Sequence, residues 1–296
     1  MSSSLKAHSA LFLAQIIYAL NYSIAKDVMP VYITPFGLVF LRITGACVLF
    51  WIASFFITKE KIETADLKKL IYISLFGVVI NQAFFIYGLS LTKPINSAII
   101  MISNPIAVML FTLFILKEQL TKLKVLGLLL GITGALTLLL FRGSFSFGSE
   151  TAVGDAMTLV NSMSWAIFVV MIKPFMEKYQ TITVMKWCFL FGLIYFFPIG
   201  IKDALAINWQ QVPTNIIIAI LFIVIATTFF AYLLNMYALK ALSSSVVSMY
   251  IYFQPFLATL FAVWLGKDEI TPIKLLSALF IITGVYLASR KKEVKD

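Results

Sequence analysis

Long apolar stretches alternate along the chain with short breaks of polar and charged residues. A helix that crosses the hydrocarbon core of a bilayer needs about 20 largely apolar residues, and dividing the chain at its charge and turn clusters predicts ten such helices. Their predicted ranges are 9–28, 34–57, 69–91, 95–116, 122–141, 154–173, 181–201, 213–239, 243–265 and 271–289. This pattern is typical of an all-α polytopic membrane protein without a sizeable soluble domain.

The second half of the chain repeats the first at an offset of 150 residues. Over positions 87–134, 13 of 48 residues are identical to their counterparts, Pro105 and Pro255 among them, which indicates a duplication. Because each copy holds five helices, an odd number, the second copy enters the membrane from the opposite face. Inverted repeats of this kind are common in transporters. We therefore predict ten transmembrane helices arranged as two inverted five-helix repeats, residues 1–143 and 144–296.

Composition and charge support the membrane interpretation and set an orientation. With 61% hydrophobic and 12% charged residues, the chain lies outside the usual range of soluble globular domains. If the N-terminus is cytoplasmic, 15 lysines and arginines fall in cytoplasmic segments and 6 on the opposite side. This excess predicts that both termini are cytoplasmic, and it accounts for the net charge of +10 without a nucleic-acid partner. We expect a multi-pass cell membrane protein, of a bacterial inner membrane, with the lipid bilayer as its solvent.

Four features recur in both copies: a small and polar start of the fourth helix, a proline near its middle, a glutamate after its end, and glycine in the fifth helix. They are carried by Pro94 to Ala98, Pro105, Glu118 and Gly127 to Gly134 in the first copy, and by Ser243 to Val246, Pro255, Glu269 and Gly284 in the second. With these features the chain resembles the EamA type of the drug/metabolite transporter superfamily over residues 9–289. The resemblance implies a central cavity lined by helices 1, 3, 4, 6, 8 and 9, with helices 5 and 10 at the periphery.

The resemblance also implies a function. We expect a carrier that moves a small metabolite by alternating access, with an amino acid or a related compound as the leading class. Export of toxic or drug-like organic cations is the alternative, and a channel is a further one. Every aspartate and glutamate falls in a loop or at a helix end, so no intramembrane carboxylate is expected to couple transport to protons. We expect no enzymatic activity, cofactor or metal, because no buried His/Asp/Glu cluster or phosphate-binding loop is visible.

Polar and aromatic residues deep in the predicted helices are the candidate substrate-binding residues. A polar side chain in hydrocarbon is costly, so it should face the interior of the helix bundle. The candidates are Gln15, Asn21, Asn81, Gln82, Tyr87, Ser103, Asn104, Asn161, Trp165, Tyr232, Asn235, Tyr250 and Gln254. For any single polar residue among them other than Asn104 and Gln254, a hydrogen bond between helices is the favoured interpretation, and the aromatic residues can instead face lipid. The polar residues as a group indicate a polar, uncharged cavity.

The two mid-helix prolines and two basic residues within the predicted helices each allow two interpretations. Pro105 and Pro255 are expected to kink their helices, either as gating kinks at the substrate or as purely structural kinks. Arg42 and Lys186 lie close enough to helix ends to extend toward the membrane surface. That interpretation is favoured over binding of an anionic group.

The glycines of the fifth helix have two interpretations as well. The spacing of Gly127 and Gly131 allows close helix approach, which we expect within the first half. A dimer contact is the other interpretation, so the protein is expected to be a monomer or a homodimer.

Overall fold

A computed structural model describes residues 3–29, 31–117, 121–140, 148–264 and 271–290. These residues form ten membrane-length helices, α1 to α10, some of them built from consecutive segments, and the described part contains no strand. The bounds are Ser3–Val28, Pro35–Phe56, Thr64–Leu91, Pro94–Ile115, Lys122–Leu140, Ala152–Lys178, Thr181–Leu205, Thr214–Ala241, Ser244–Trp264 and Pro272–Ser289. The predicted all-α fold of ten helices is confirmed, and each predicted range overlaps one of them.

Nine of these described helices, α2 to α10, are both long and apolar enough to cross a membrane. The first, α1, has 26 residues and is therefore also long enough. It is less apolar because it carries Gln15, Asn21 and Lys26. The two amides are buried inside the bundle, so the polarity of α1 reflects the interior that it faces.

Most close helix pairs join the two repeats. The helix α2 packs along α7, α3 along α6, α1 along α8, and α5 along α10. Because α1 corresponds to α6 and α3 to α8 in the inverted repeat, the α3–α6 and α1–α8 pairs are equivalent to one another. The two repeats are thus interleaved, and the core lies between them.

Matched irregularities in α3 and α8 support the duplication. A π-helical segment, Leu75–Ile80, interrupts α3, and another, Ile223–Phe230, interrupts α8. A π segment widens the helix locally and releases carbonyl groups from the regular hydrogen-bond pattern. In α3 the carbonyl oxygens of Phe76 and Gly77 accept hydrogen bonds from side chains of the second repeat, namely Ser164 (2.6 Å) and Tyr232 (2.8 Å).

The helices α4 and α9 are interrupted just before Pro105 and Pro255. The first consists of Pro94–Met101 and Asn104–Ile115. The second consists of Ser244–Met249, the 3₁₀ turn Tyr250–Tyr252, and Phe253–Trp264. Proline lacks a backbone donor and clashes with the preceding turn, which accounts for both breaks.

The two breaks contact one another. The Tyr252 hydroxyl of α9 donates to the carbonyl oxygen of Ile102 in α4, at 3.5 Å. The two kinked helices therefore meet at the positions where the regular helical hydrogen bonding stops.

Glycines bring α5 and α10 into backbone contact. A Cβ atom on Gly127 would overlap the carbonyl oxygen of Gly284, and a Cβ atom on Gly284 would overlap that of Gly127. The expected packing of Gly127 within the first half is therefore wrong, because its partner is the last helix of the second half. Small residues let two helix backbones approach this closely inside a membrane.

We expect Gly127→Leu to lower the apparent melting temperature of the detergent-purified protein. Overpacking a tight contact costs about 1–3 kcal/mol. Gly148→Leu is the matched control, because a Cβ atom at Gly148 meets nothing within 4 Å. Equal melting temperatures for the two variants in a thermal unfolding assay would contradict the α5–α10 contact.

Candidate functional site

A central cavity lies among α1, α3, α4, α6, α8 and α9, the six helices that the family resemblance implies, and α2 adds one residue to its wall. Its volume is about 670 Å³, space open to solvent included, which is in the range of small-molecule sites. The described residues that line it are Gln15, Tyr18, Asn21, Tyr22, Arg42, Asn81, Phe85, Met101, Asn104, Asn161, Trp165, Tyr232, Asn235, Val247, Ser248, Ile251 and Gln254.

The residue from α2 is Arg42, which is 4% exposed. Its Nε donates to the side-chain oxygen of Gln82 at 2.8 Å, while its Nη1 has no hydrogen-bond partner in the protein. Gln82 is neutral, and none of the described lining residues is acidic. The cavity wall therefore holds a buried cation without a carboxylate partner. A charge in this position is costly unless an anion pairs with it.

The favoured interpretation of Arg42 from the sequence does not match its position. Its guanidinium points to the interior of the bundle and does not extend to the membrane surface. Lys186 behaves differently, because its ammonium lies over the Trp51 ring, 5.0 Å from the centroid, and it does not line the cavity. The two residues occupy similar depths in α2 and α7, and only the packing of the helices distinguishes them.

Two asparagines in the cavity wall are fixed by backbone carbonyl groups. The side-chain nitrogen of Asn104 donates to the carbonyl oxygen of Ser162 at 2.7 Å, and that of Asn161 donates to the carbonyl oxygen of Asn81 at 2.8 Å. A carbonyl can only accept, so the amide nitrogen must face it. Both side-chain oxygens then face away from these bonds, and neither has a partner in the protein.

An aromatic pair forms another part of the wall. The rings of Trp165 and Tyr232 meet edge to face with centroids 5.2 Å apart. The Tyr232 hydroxyl lies 2.8 Å from the carbonyl oxygen of Gly77 and 2.9 Å from the side-chain oxygen of Asn81, and its single hydrogen can serve one of them at a time. These contacts tie α8 to the irregular segment of α3.

The amides beside the two prolines make equivalent contacts. In α9 the side-chain nitrogen of Gln254 donates to the side-chain oxygen of Gln15 in α1 at 2.8 Å. In α4 the corresponding Asn104 donates to Ser162 in α6. Each kinked helix is therefore bonded to the first helix of the opposite repeat. Asn235, which also lines the cavity, donates within its own helix to the carbonyl oxygen of Ala231 at 2.7 Å.

Four predicted site residues lie outside the cavity lining. The side-chain oxygen of Gln82 accepts a hydrogen bond from Arg42 Nε, and the Ser103 hydroxyl contacts the Ser162 hydroxyl at 3.2 Å. Tyr87 stacks on Phe36 with centroids 5.2 Å apart. Tyr250 pairs with the Nδ1 atom of His8 at 2.7 Å. The structure brings together the other nine, which are Gln15, Asn21, Asn81, Asn104, Asn161, Trp165, Tyr232, Asn235 and Gln254.

Several lining residues were not predicted. They are mostly apolar or aromatic, and such residues are abundant in every helix of this chain. The signal that could have found them is helical spacing, because residues three or four apart share a face. Applied once or twice in succession from Gln15 in α1 and from Gln254 in α9, this rule reaches the lining residues Tyr18, Tyr22, Val247 and Ile251.

No metal-binding cluster is found in the described ranges. Groups of three or more His, Cys, Asp or Glu side chains close enough to hold a metal do not occur there. The chemistry of the cavity is that of amides, aromatic rings and one guanidinium.

Comparisons with known proteins give a family. The model of the EamA-like transporter family matches residues 5–140 and again residues 152–290. An uncharacterized transporter of Archaeoglobus fulgidus is 26% identical over 97% of this chain and 98% of its own length. A WAT1-related protein of Arabidopsis thaliana is 25% identical over 91% of this chain and 75% of its own length. One solved crystal structure, 20% identical, superposes with a TM-score of 0.77 over 97% of this chain and 96% of that one.

The geometry predicts different reactivities for cysteines placed on α9. In a background with Cys47 and Cys188 replaced by alanine, Ser248→Cys should react readily with a water-soluble thiol reagent because it lines the cavity. Ser245→Cys, one turn earlier and buried but not among the lining residues, should react much more slowly. The measurement is the labelling rate by mass shift, and equal rates would contradict this placement of the cavity.

Proposed function

This chain belongs to the EamA-like transporter family, and we propose that its central cavity carries a small metabolite with a carboxylate group. An amino acid is the leading class, and alternating access is the mode of transport. The chain is a multi-span membrane transporter, with relatives that span nearly its whole length.

The observation that carries the carboxylate proposal is the unpaired guanidinium of Arg42. It is buried in the cavity wall, is supported by one neutral partner, and has an Nη1 without a hydrogen-bond partner in the protein. A planar guanidinium binds a carboxylate through two parallel hydrogen bonds, which gives both affinity and orientation. A solute with this group would supply the counterion that the described lining lacks.

The arrangement of helices supports alternating access. The cavity lies between two groups of helices: α4 is bonded to α6 through Asn104, and α1 to α9 through Gln254. The fully buried segment Ser244–Met249 contributes Val247 and Ser248 to the cavity wall. Kinked helices that meet at the cavity, as α4 and α9 do, can open one side while closing the other when the two groups rock against each other.

Two other functions receive less support from the cavity. An exporter of organic cations would have to hold a cation near the unpaired Arg42, which repels it. A channel would need a continuous polar path through the bundle, whereas the described lining includes the apolar side chains of Phe85, Met101 and Ile251. Neither function explains why a guanidinium is placed where no carboxylate of the described residues meets it.

Arg42 also bears on how transport is driven. When the empty cavity closes on its way between the two open states, Arg42 would be enclosed without a counterion, which is unfavourable by several kcal/mol. A bound carboxylate neutralises that charge. We therefore expect exchange of one carboxylate solute for another to be faster than net movement.

We expect Gln82→Glu and Arg42→Gln to impair carboxylate counterflow in different ways. Gln82→Glu places a carboxylate where the amide oxygen now lies 2.8 Å from Arg42 Nε, so the protein supplies its own counterion. Arg42→Gln removes the cation, and loss of a hydrogen bond to a charged group should lower kcat/KM about 10- to 100-fold. Counterflow of labelled amino acids into proteoliposomes measures both effects.

Stability separates these two variants from a general folding defect. Gln82→Glu should raise the melting temperature, because a buried cation gains a paired anion, even though transport is lost. Full counterflow by both variants would show that Arg42 plays no part in binding the solute.

We expect uptake of labelled substrate to be at least about tenfold faster into preloaded proteoliposomes than into empty ones, since about 1.4 kcal/mol of extra barrier corresponds to tenfold in rate. The control is a preload with a cation of similar size that has no carboxylate. Equal rates into empty and preloaded vesicles would contradict the exchange expectation.

A further inference from the structure

We propose that the side-chain oxygens of Asn21, Asn104 and Asn161 form a subsite for an ammonium group, so that the carried solute is an α-amino acid with an uncharged side chain. The inference rests on the proposed function, because it takes the carboxylate of the solute to lie on Arg42. It assigns the residues that hold the other charged end of a zwitterion.

The three oxygens share an environment. Asn21, Asn104 and Asn161 are each no more than 2% exposed, and all line the same cavity as Arg42. None of the three side-chain oxygens has a hydrogen-bond partner among the residues that the structure describes. A buried acceptor without a partner costs about 1–3 kcal/mol, so a cavity that collects three of them is suited to a donor from water or from a solute.

The orientation of two of these oxygens is determined by chemistry. Asn104 and Asn161 each face a backbone carbonyl oxygen with their amide nitrogen, at 2.7 and 2.8 Å. Exchanging nitrogen and oxygen would place two acceptors against each other in both cases. The free groups of Asn104 and Asn161 are therefore acceptors, and they come from α4 and α6, whereas Asn21 comes from α1.

The number of acceptors favours an ammonium over other donors. An ammonium carries three N–H donors, and a hydroxyl carries one. A hydroxyl would leave two of the three oxygens without a solute donor. Trp165 lies one helical turn from Asn161 and lines the cavity as well, so its ring is placed on the same face to contribute a cation–π contact.

The charges of the lining restrict the side chain of the solute. No acidic side chain lies among the described lining residues, so the second cation of lysine or arginine would find no counterion. Arg42 is the one cation among the described lining residues, and it pairs with the α-carboxylate. The side-chain carboxylate of aspartate or glutamate would therefore find no cation to pair with. The remaining wall contains Tyr22, Phe85 and Met101, which suits an uncharged side chain.

The test is ligand binding to the full-length, detergent-purified protein by isothermal titration. The probes are the uncharged proteinogenic amino acids, followed by three analogues of the strongest binder: the 2-hydroxy acid, the acid without the amino group, and the amine without the carboxylate. We expect the amino acid to bind at least about tenfold more tightly than either acid, as each hydrogen bond to a charged group contributes about tenfold or more.

Two variants test the named oxygens. Asn21→Leu and Asn161→Leu should weaken binding of the amino acid about tenfold and leave binding of the acid without the amino group unchanged. A purely structural defect would weaken both. Ser245→Ala is the matched control, because it removes a buried oxygen that also has no partner but is not among the cavity-lining residues, and it should change neither affinity.

The outcomes separate this inference from the proposed function. If the acid without the amino group binds as tightly as the amino acid, the ammonium subsite is wrong and the carboxylate proposal stands. If the amine without the carboxylate binds as tightly as the amino acid, the role of Arg42 is wrong. If no uncharged amino acid binds, the assignment of the substrate class is overturned.

Discussion

A bilayer offers no partners to polar groups, and this constraint explains the interior of the protein. Every donor and acceptor at membrane depth must find a partner within the protein or in a cavity. Here the carbonyl oxygens released by the irregular segment of α3 meet Ser164 and Tyr232, and the amides beside the two prolines meet the first helix of the opposite repeat. In the cavity wall this matching is incomplete, as it also is at a few other buried atoms such as Ser245 Oγ. Arg42 and three asparagine oxygens are left there without complete partners in the protein, and they define the chemistry of the solute.

Much of the fold could be predicted from the sequence. The period of apolar stretches gives the ten helices, and the matched prolines give the two breaks, since a proline inside a helix disrupts its hydrogen bonding wherever the helix lies. Amides such as Asn104 and Gln254 could be placed in the interior because exposure to hydrocarbon is costly. These arguments depend only on the solvent and on local geometry.

The contents of the cavity depend on rotation of each helix about its axis, which the sequence does not determine. Asn81 and Gln82 are neighbours in sequence. Asn81 lines the cavity, whereas Gln82 does not line it and accepts a hydrogen bond from Arg42. The π-helical turn before them changes the direction in which both side chains point. Arg42 and Lys186 lie at similar depths, so an argument from depth gave them the same role. The helices packed around Arg42 place its head group in the wall, whereas Lys186 rests on Trp51.

The exchange of contacts between α4 and α6 and between α1 and α9 has a consequence for how such a chain could arise. Each repeat holds one kinked helix whose amide finds its partner only in the opposite repeat. A gene encoding a single repeat would therefore produce a protein in which the amide beside the proline has no hydrogen-bond partner. Two copies of that protein, inserted in opposite directions, would restore both contacts. Fusion of the two copies into one chain then removes the need for a protein with two insertion directions, and it leaves each half free to change its side of the cavity.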